Sequence, residues 1–232
     1  MAEIKLNAAD GAGSFAAYVV EPAKKPAGAV VVIQEIFGVN ESMKETCQEI
    51  AAMGFVAICP DLFWRIEPGV SLTDKTEAEW KQAFALMNAF DQDKGVADLQ
   101  VAVDAARTYP GANGKVGTIG FCLGGRLAVM MATRSDADVN VSYYGVGLDG
   151  LVPEFDKISA PLMIHIAEKD EFSSPEVVET VLDGAEDNEH IDAFVYPEVQ
   201  HAFARVNGVH FDARAATIAN GRTAEILAEI LG

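Results

Sequence analysis

The chain has 232 residues, 50% of them hydrophobic, and a formal net charge of −18. That length is ample for a sizeable core, and so acidic a surface argues against nucleic acid and anionic membranes as partners. Three cysteines, Cys47, Cys59 and Cys122, show no C-x-x-C or Cys/His metal spacing, which argues against a disulfide framework and for a reducing cytoplasm.

In chain order, EIKLNAADGAGSFAAYVVEP reads as two strands around a glycine turn. AGAVVVIQE (28–35) is a near-continuous β-branched run, as in a strand buried on both faces. Residues 41–53 have helical spacing and stop at Gly54, a C-cap signal. FVAICP (55–60) is a short buried strand, residues 61–73 are irregular, and helices follow near 74–90 and 94–108. KVGTIG (115–120) is a strand and GGRLAVMMATR the next helix; NVSYYG, PLMIHIAEKD and IDAFVYPE are strands, with helices near 175–186 and 212–231. The start lacks a basic region followed by an apolar one, so no signal peptide is expected, and no run reaches membrane-span length. Alternating strands and helices predict an α/β fold, a mostly parallel central sheet with helices on both faces. Without repeats or a linker, residues 1–232 are expected to form one domain.

Functional side chains in such sheets gather where loops leave the carboxyl ends of strands. Gly120-Phe121-Cys122-Leu123-Gly124 sits at such a place and fits the nucleophile elbow G-x-Nu-x-G, with cysteine as nucleophile. Glycines two residues either side relieve crowding between strand and helix, and a helix N-terminus lowers a thiol's pKa. The competing reading is a buried cysteine beside glycines that pack closely, and it is adopted for Cys47 and Cys59. A dinucleotide-binding reading fails because G-x-G-x-x-G is absent, and a phosphate-loop reading of GANGKVG fails because Val116 stands where Ser or Thr is required.

A thiol nucleophile works best with a base and a group that orients it. In elbow hydrolases the chain order is nucleophile, acid, histidine. Asp170, past the strand LMIHIA, and His201, past FVYPE, fit that order. Glu168 and Glu171 share the first loop, and a solvated acidic turn is the plain reading of all three. Of the four histidines, His165 lies inside a strand, His190 in an acidic turn and His210 at or before the last helix. No two are spaced as ligands on one helical face, so neither metal nor cofactor is expected.

GFCLGG, QEIFGVN (34–40), SYYGVGL (142–148) and HAFAR (201–205) resemble the dienelactone hydrolase family, in the same order and over nearly the whole chain. The resemblance implies an α/β-hydrolase fold and a triad of Cys122, Asp170 and His201 that opens enol lactones such as dienelactone to maleylacetate. It implies that Glu35 pairs with the resting thiol and takes its proton, and that the Ile36 and Leu123 backbone N–H groups form the oxyanion hole. Arg205 would bind the substrate carboxylate, with Phe37 and Tyr143 on the pocket wall. The chain departs from the family around the helix containing QAF: Trp80 stands where a second carboxylate-binding arginine is found, beside Lys81, and Phe84 and Met87 replace a pocket tyrosine and tryptophan. Lys81 could serve there as a point charge but not as a planar fork. The expected partner is a small lactone or ester bearing a carboxylate, met by a monomer. The alternatives are a generic carboxylesterase of the same fold and a non-catalytic thiol-sensing or ligand-binding protein.

Overall fold

The structure, a computed structural model, describes residues 2–232. Strands β1 (Ala2–Asn7), β2 (Ser14–Val20), β3 (Ala27–Ile33), β4 (Val56–Pro60), β5 (Ala112–Phe121), β6 (Val139–Tyr143), β7 (Leu162–Ala167) and β8 (Ile191–Tyr196) form one sheet in the order β1-β2-β4-β3-β5-β6-β7-β8. β1 and β2 pair antiparallel, as do β2 and β4, and every later pair is parallel. The central strands read as unbroken apolar runs because both of their faces are covered: every residue of β3, β4, β6 and β7 is buried.

The helices are α1 (Glu41–Ala52), α2 (Glu77–Ala89), α3 (Gln92–Arg107), α4 (Leu123–Arg134), α5 (Pro175–Glu186) and α6 (Ala213–Leu231). α3 and α4 pack side by side against β5, while α1 and α6 meet the sheet from the other side, where Tyr143 of β6 reaches Thr223 of α6. Their starts follow local chemistry. Asn40 caps α1 by accepting from Met43 N–H at 3.1 Å, and Asp91 caps α3 by accepting from Lys94 N–H at 3.1 Å. At α2, Thr76 accepts from Glu79 N–H at 3.3 Å and donates its hydroxyl back to the Glu79 carboxylate at 2.7 Å. That cap starts α2 at Glu77 rather than near 74, and Asp91 starts α3 two residues ahead of the expected 94. A 3-10 helix over Leu148–Lys157, interrupted by Pro153, was not legible in the hydrophobic pattern.

In the sheet order β4 lies on one side of β3 and β5 on the other, so the chain reverses its direction of winding between β3 and β5. Loops leaving the carboxyl ends at such a point open a crevice. The loop after β3 carries Glu35 and Ile36, and the turn after β5 carries Cys122.

Candidate active site

Cys122 joins β5 to α4 in a backbone conformation that side chains rarely adopt, φ 56° and ψ −115°. The glycines around it are there because neighbouring backbones leave no room for a Cβ. A Cβ on Gly120 would lie 1.8 Å from the Gly124 carbonyl oxygen, and one on Gly124 would lie 2.3 Å from the Ile33 carbonyl oxygen. The turn is pinned from below by the Cys122 N–H, which donates to Tyr143 C=O at 3.0 Å. Leu123, the first residue of α4, has an N–H with no partner inside the helix. Ile36 likewise gives its N–H to no backbone carbonyl among the described residues.

Asp170 follows β7 and His201 follows β8. Asp170 Oδ1 accepts from Phe172 N–H at 2.9 Å, which leaves Oδ2 to meet His201 Nδ1 at 2.8 Å. The far nitrogen, His201 Nε2, is buried with no hydrogen-bond partner among the described residues. Burial pulls the ring's pKa down, but the Cys122 sulfur and the bond to Asp170 outweigh it and push it up to about 10. The sulfur is thus near enough to act on the ring although Nε2 closes no bond, a looseness common before substrate arrives. The other histidines stand elsewhere: His165 is buried between Tyr196 Oη and Thr223 Oγ1, where burial lowers its pKa to about 3.

Cys122 and His201 line one cavity of about 200 Å³ together with Ile36, Phe37, Trp80, Phe84, Met87, Val146, Phe172 and Arg205. Trp80, Phe84 and Met87 fall on one face of α2, as residues four and three apart do. Trp80 meets Phe37 edge-on at 5.0 Å between ring centroids and stacks on Phe84 at 5.5 Å. Lys81, one residue further round the helix, is exposed and outside the cavity, so it supplies no charge there.

Three other expectations need correction. Tyr143 is not on the cavity wall. As the last residue of β6, it shares with Phe121 the face that meets α6, and its hydroxyl pairs with Thr223 Oγ1 at 2.6 Å and Asn220 Oδ1 at 3.0 Å. Strand alternation turns the next residue the other way. Tyr144, at φ 38°, sits edge-on to His201 with ring centroids 5.1 Å apart. Its buried hydroxyl has no partner among the described residues, and burial, aided by Glu35, pushes its pKa up, so it stays a donor.

Glu35 does not hold the thiol. Both of its oxygens accept from Arg205, Nε at 2.7 Å and Nη2 at 2.9 Å. Arg205 in turn is not a free clamp, because its Nη1 also donates to Asp74 Oδ2 at 2.8 Å. Phe172 and Val146 on the wall were missed; Phe172 stands edge-on to His201 at 4.8 Å. Its place two residues after Asp170 was the only signal. Among the described residues no group of three or more His, Cys, Asp or Glu is placed to hold a metal ion, and no helix is long and apolar enough to cross a membrane.

A strained cysteine elbow at the switch point of an eight-stranded sheet, facing an Asp–His pair, defines the class: an α/β-hydrolase fold. A model of the dienelactone hydrolase family matches residues 15–231, and the chain belongs to that family. It is 41% identical to carboxymethylenebutenolidase 1 of Cupriavidus pinatubonensis, covering 93% of this chain and 92% of that one. It is 39% identical to the carboxymethylenebutenolidase of Pseudomonas putida, covering 98% and 96%. A crystal structure of a Klebsiella pneumoniae protein described provisionally as a dienelactone hydrolase superposes with a TM-score of 0.83 at 25% identity, over 98% of this chain and 97% of that one. The chain is accordingly a hydrolase of ester or lactone bonds, which sets aside the non-catalytic alternative.

Proposed function

We propose that the protein opens enol lactones such as dienelactone, or cleaves related activated esters, through a thioester on Cys122. The observation that carries this reading is the uncommitted Nε2 of His201. The ring is oriented by Asp170 at 2.8 Å and shares a cavity with the Cys122 sulfur. With its pKa pushed up to about 10, His201 holds a proton at neutral pH beside the Cys122 sulfur. The thiolate attacks the carbonyl carbon, and the Ile36 and Leu123 N–H groups receive the developing oxyanion. The C–O bond then breaks, the enolate takes a proton from His201, and the acyl group stays on sulfur. His201, now neutral, removes a proton from water, whose attack on the thioester releases the acid and restores the thiolate. A thiolate is a better leaving group than an alkoxide, so the forward step favours esters with stabilised leaving groups, enols and phenols among them.

Glu35 and Arg205 enter this scheme as a neutralised floor rather than as proton carriers. The apolar wall also favours a second reading, a carboxylesterase without lactone preference, which uses the same machinery. Cys122, Asp170, His201 and the cavity wall lie within one copy of the fold, so the proposed chemistry needs no residue from a second copy. Three buried free cysteines support a reducing compartment such as the cytoplasm.

The test is the initial rate of dienelactone hydrolysis, cis and trans isomers separately, for wild type and Cys122→Ala. Turnover that falls by about 10⁴-fold or more in the variant is expected. An unchanged rate would remove Cys122 from the mechanism.

A further inference from the structure

We infer that a one-way chain of hydrogen bonds behind the sheet positions the reacting groups, with His165 and Thr223 as its positioning residues. This inference rests on the hydrolase reading above and adds residues that touch neither the substrate nor the sulfur.

The chain runs between the sheet and α6. Arg222 Nη1 donates to Tyr196 Oη at 2.9 Å. Tyr196 Oη meets His165 Nδ1 at 2.9 Å, and His165 Nε2 meets Thr223 Oγ1 at 3.0 Å. Thr223 Oγ1 meets Tyr143 Oη at 2.6 Å, and the Tyr143 hydroxyl donates to Asn220 Oδ1 at 3.0 Å. A guanidinium has only protons to give, so the Arg222 end fixes the direction. Tyr196 accepts from Arg222 and gives its own proton to His165 Nδ1. His165 then carries its single ring proton on Nε2 and gives it to Thr223. The Thr223 hydroxyl gives to Tyr143, and Tyr143 gives to Asn220. Each hydroxyl and imidazole proton thus has one acceptor. The scheme needs a neutral imidazole, and burial provides one by lowering the His165 pKa to about 3.

Tyr143, His165, Tyr196 and Thr223 are all buried. Apolar side chains would fill the same space without stripping water from four polar groups. What the polar version adds is direction, because a fully satisfied buried network holds one arrangement. The backbone of the same residues shows what is held. Tyr143 C=O accepts from Cys122 N–H at 3.0 Å, and His165 C=O accepts from Tyr144 N–H at 2.8 Å. Tyr196 C=O accepts from Glu168 N–H at 3.0 Å, two residues before Asp170. The Tyr196 ring also lies 4.9 Å from that of Phe203, two residues after His201. Each strand residue whose side chain is tied to α6 therefore uses its carbonyl to hold a segment of the site. The elbow, Asp170 and His201 take their places from one helix behind the sheet.

The experiment breaks the chain without changing its shape. Thr223→Val removes the hydroxyl at its centre, and Thr223→Ser keeps it. Tyr196→Phe breaks the chain nearer its Arg222 end and carries the test if Thr223→Val does not fold. Hydrolysis of phenyl acetate is followed for each protein. Thr223→Val and Tyr196→Phe are expected to lower kcat by about 10- to 100-fold with KM within about threefold, and Thr223→Ser to stay within about threefold of wild type in both. NMR of the same proteins needs no turnover. It should find wild-type His165 protonated at Nε2 and bare at Nδ1. It should also find the His201 Nδ1 proton, shared with Asp170, as a low-field signal in wild type and Thr223→Ser that shifts or broadens in the two broken variants. Unchanged kcat in the broken variants, Thr223→Ser as slow as Thr223→Val, His165 protonated at Nδ1, or a His201 signal that none of the variants moves would each overturn the inference. Failure of the hydrolase reading would show instead as wild-type enzyme that turns over no lactone or ester, and the two NMR signals would still decide whether the chain positions His201.

Discussion

His201 is held between opposed pulls. Burial favours the neutral ring, while the Cys122 sulfur and Asp170 favour the protonated one and win, with a pKa near 10. Because this folded value lies above the ordinary 6.5, the group contributes stability that is fully present below pH about 6.5 and is lost as pH rises toward about 10. Part of the support is the sulfur itself. In Cys122→Ala that part is gone, so an NMR titration should find the His201 pKa clearly below its wild-type value; an unchanged pKa would mean that the sulfur does not interact with the ring. Asp170→Asn keeps the shape but gives the Nδ1 side the wrong partner, so kcat should fall by about 10²- to 10⁴-fold with little change in folding. The sequence led to Cys122, Asp170 and His201 because order and strand-end position single them out. It did not separate Tyr143 from Tyr144. Which of two adjacent tyrosines faces the cavity depends on where β6 ends and on its register with β5, and neither is written in the residue types.

At the scale of elements, the elbow combines a left-handed cysteine with tightly packed glycines. Its glycines mark places where backbone meets backbone: the Gly120 Cβ position lies 1.8 Å from Gly124 O. Neither side of that contact is a flexible side-chain end. Gly120→Ala should therefore destabilise by about 3 kcal/mol or more in chemical denaturation and lose activity as the turn shifts. A neutral result would mean the strand–helix crossing is looser than described. The helices were legible to within a few residues from their apolar spacing, and the caps Asn40, Thr76 and Asp91 set where α1, α2 and α3 begin. The 3-10 helix at Leu148–Lys157 was not, because its Pro153 and short apolar spacing read as loop. The pairing of Arg205 with both Glu35 and Asp74 was hidden for another reason: it joins residues 170 and 131 positions apart, and no local pattern encodes it.

Across the whole molecule, the sheet does the assembling. Glu35, Cys122, Tyr144, Asp170 and His201 come from five loops, each just beyond the carboxyl end of β3, β5, β6, β7 or β8. Parallel strands bring these ends to one edge, and the reversal between β3 and β5 opens the crevice between the Ile36 N–H and the Cys122 elbow. The alternation of strands with helices made this sheet predictable, and with it the placing of Cys122, Asp170 and His201 beyond strand ends. The charge balance inside the cavity is the part that only the folded chain discloses. The central claim is covalent chemistry at Cys122, and it is tested most directly by rapid acid quench during turnover of a lactone or activated ester, followed by mass spectrometry of the protein. The account predicts an acyl adduct on the peptide carrying Cys122, formed and lost at rates consistent with kcat and absent in Cys122→Ala. Steady turnover with no adduct on that peptide, or an adduct on another residue, would contradict it.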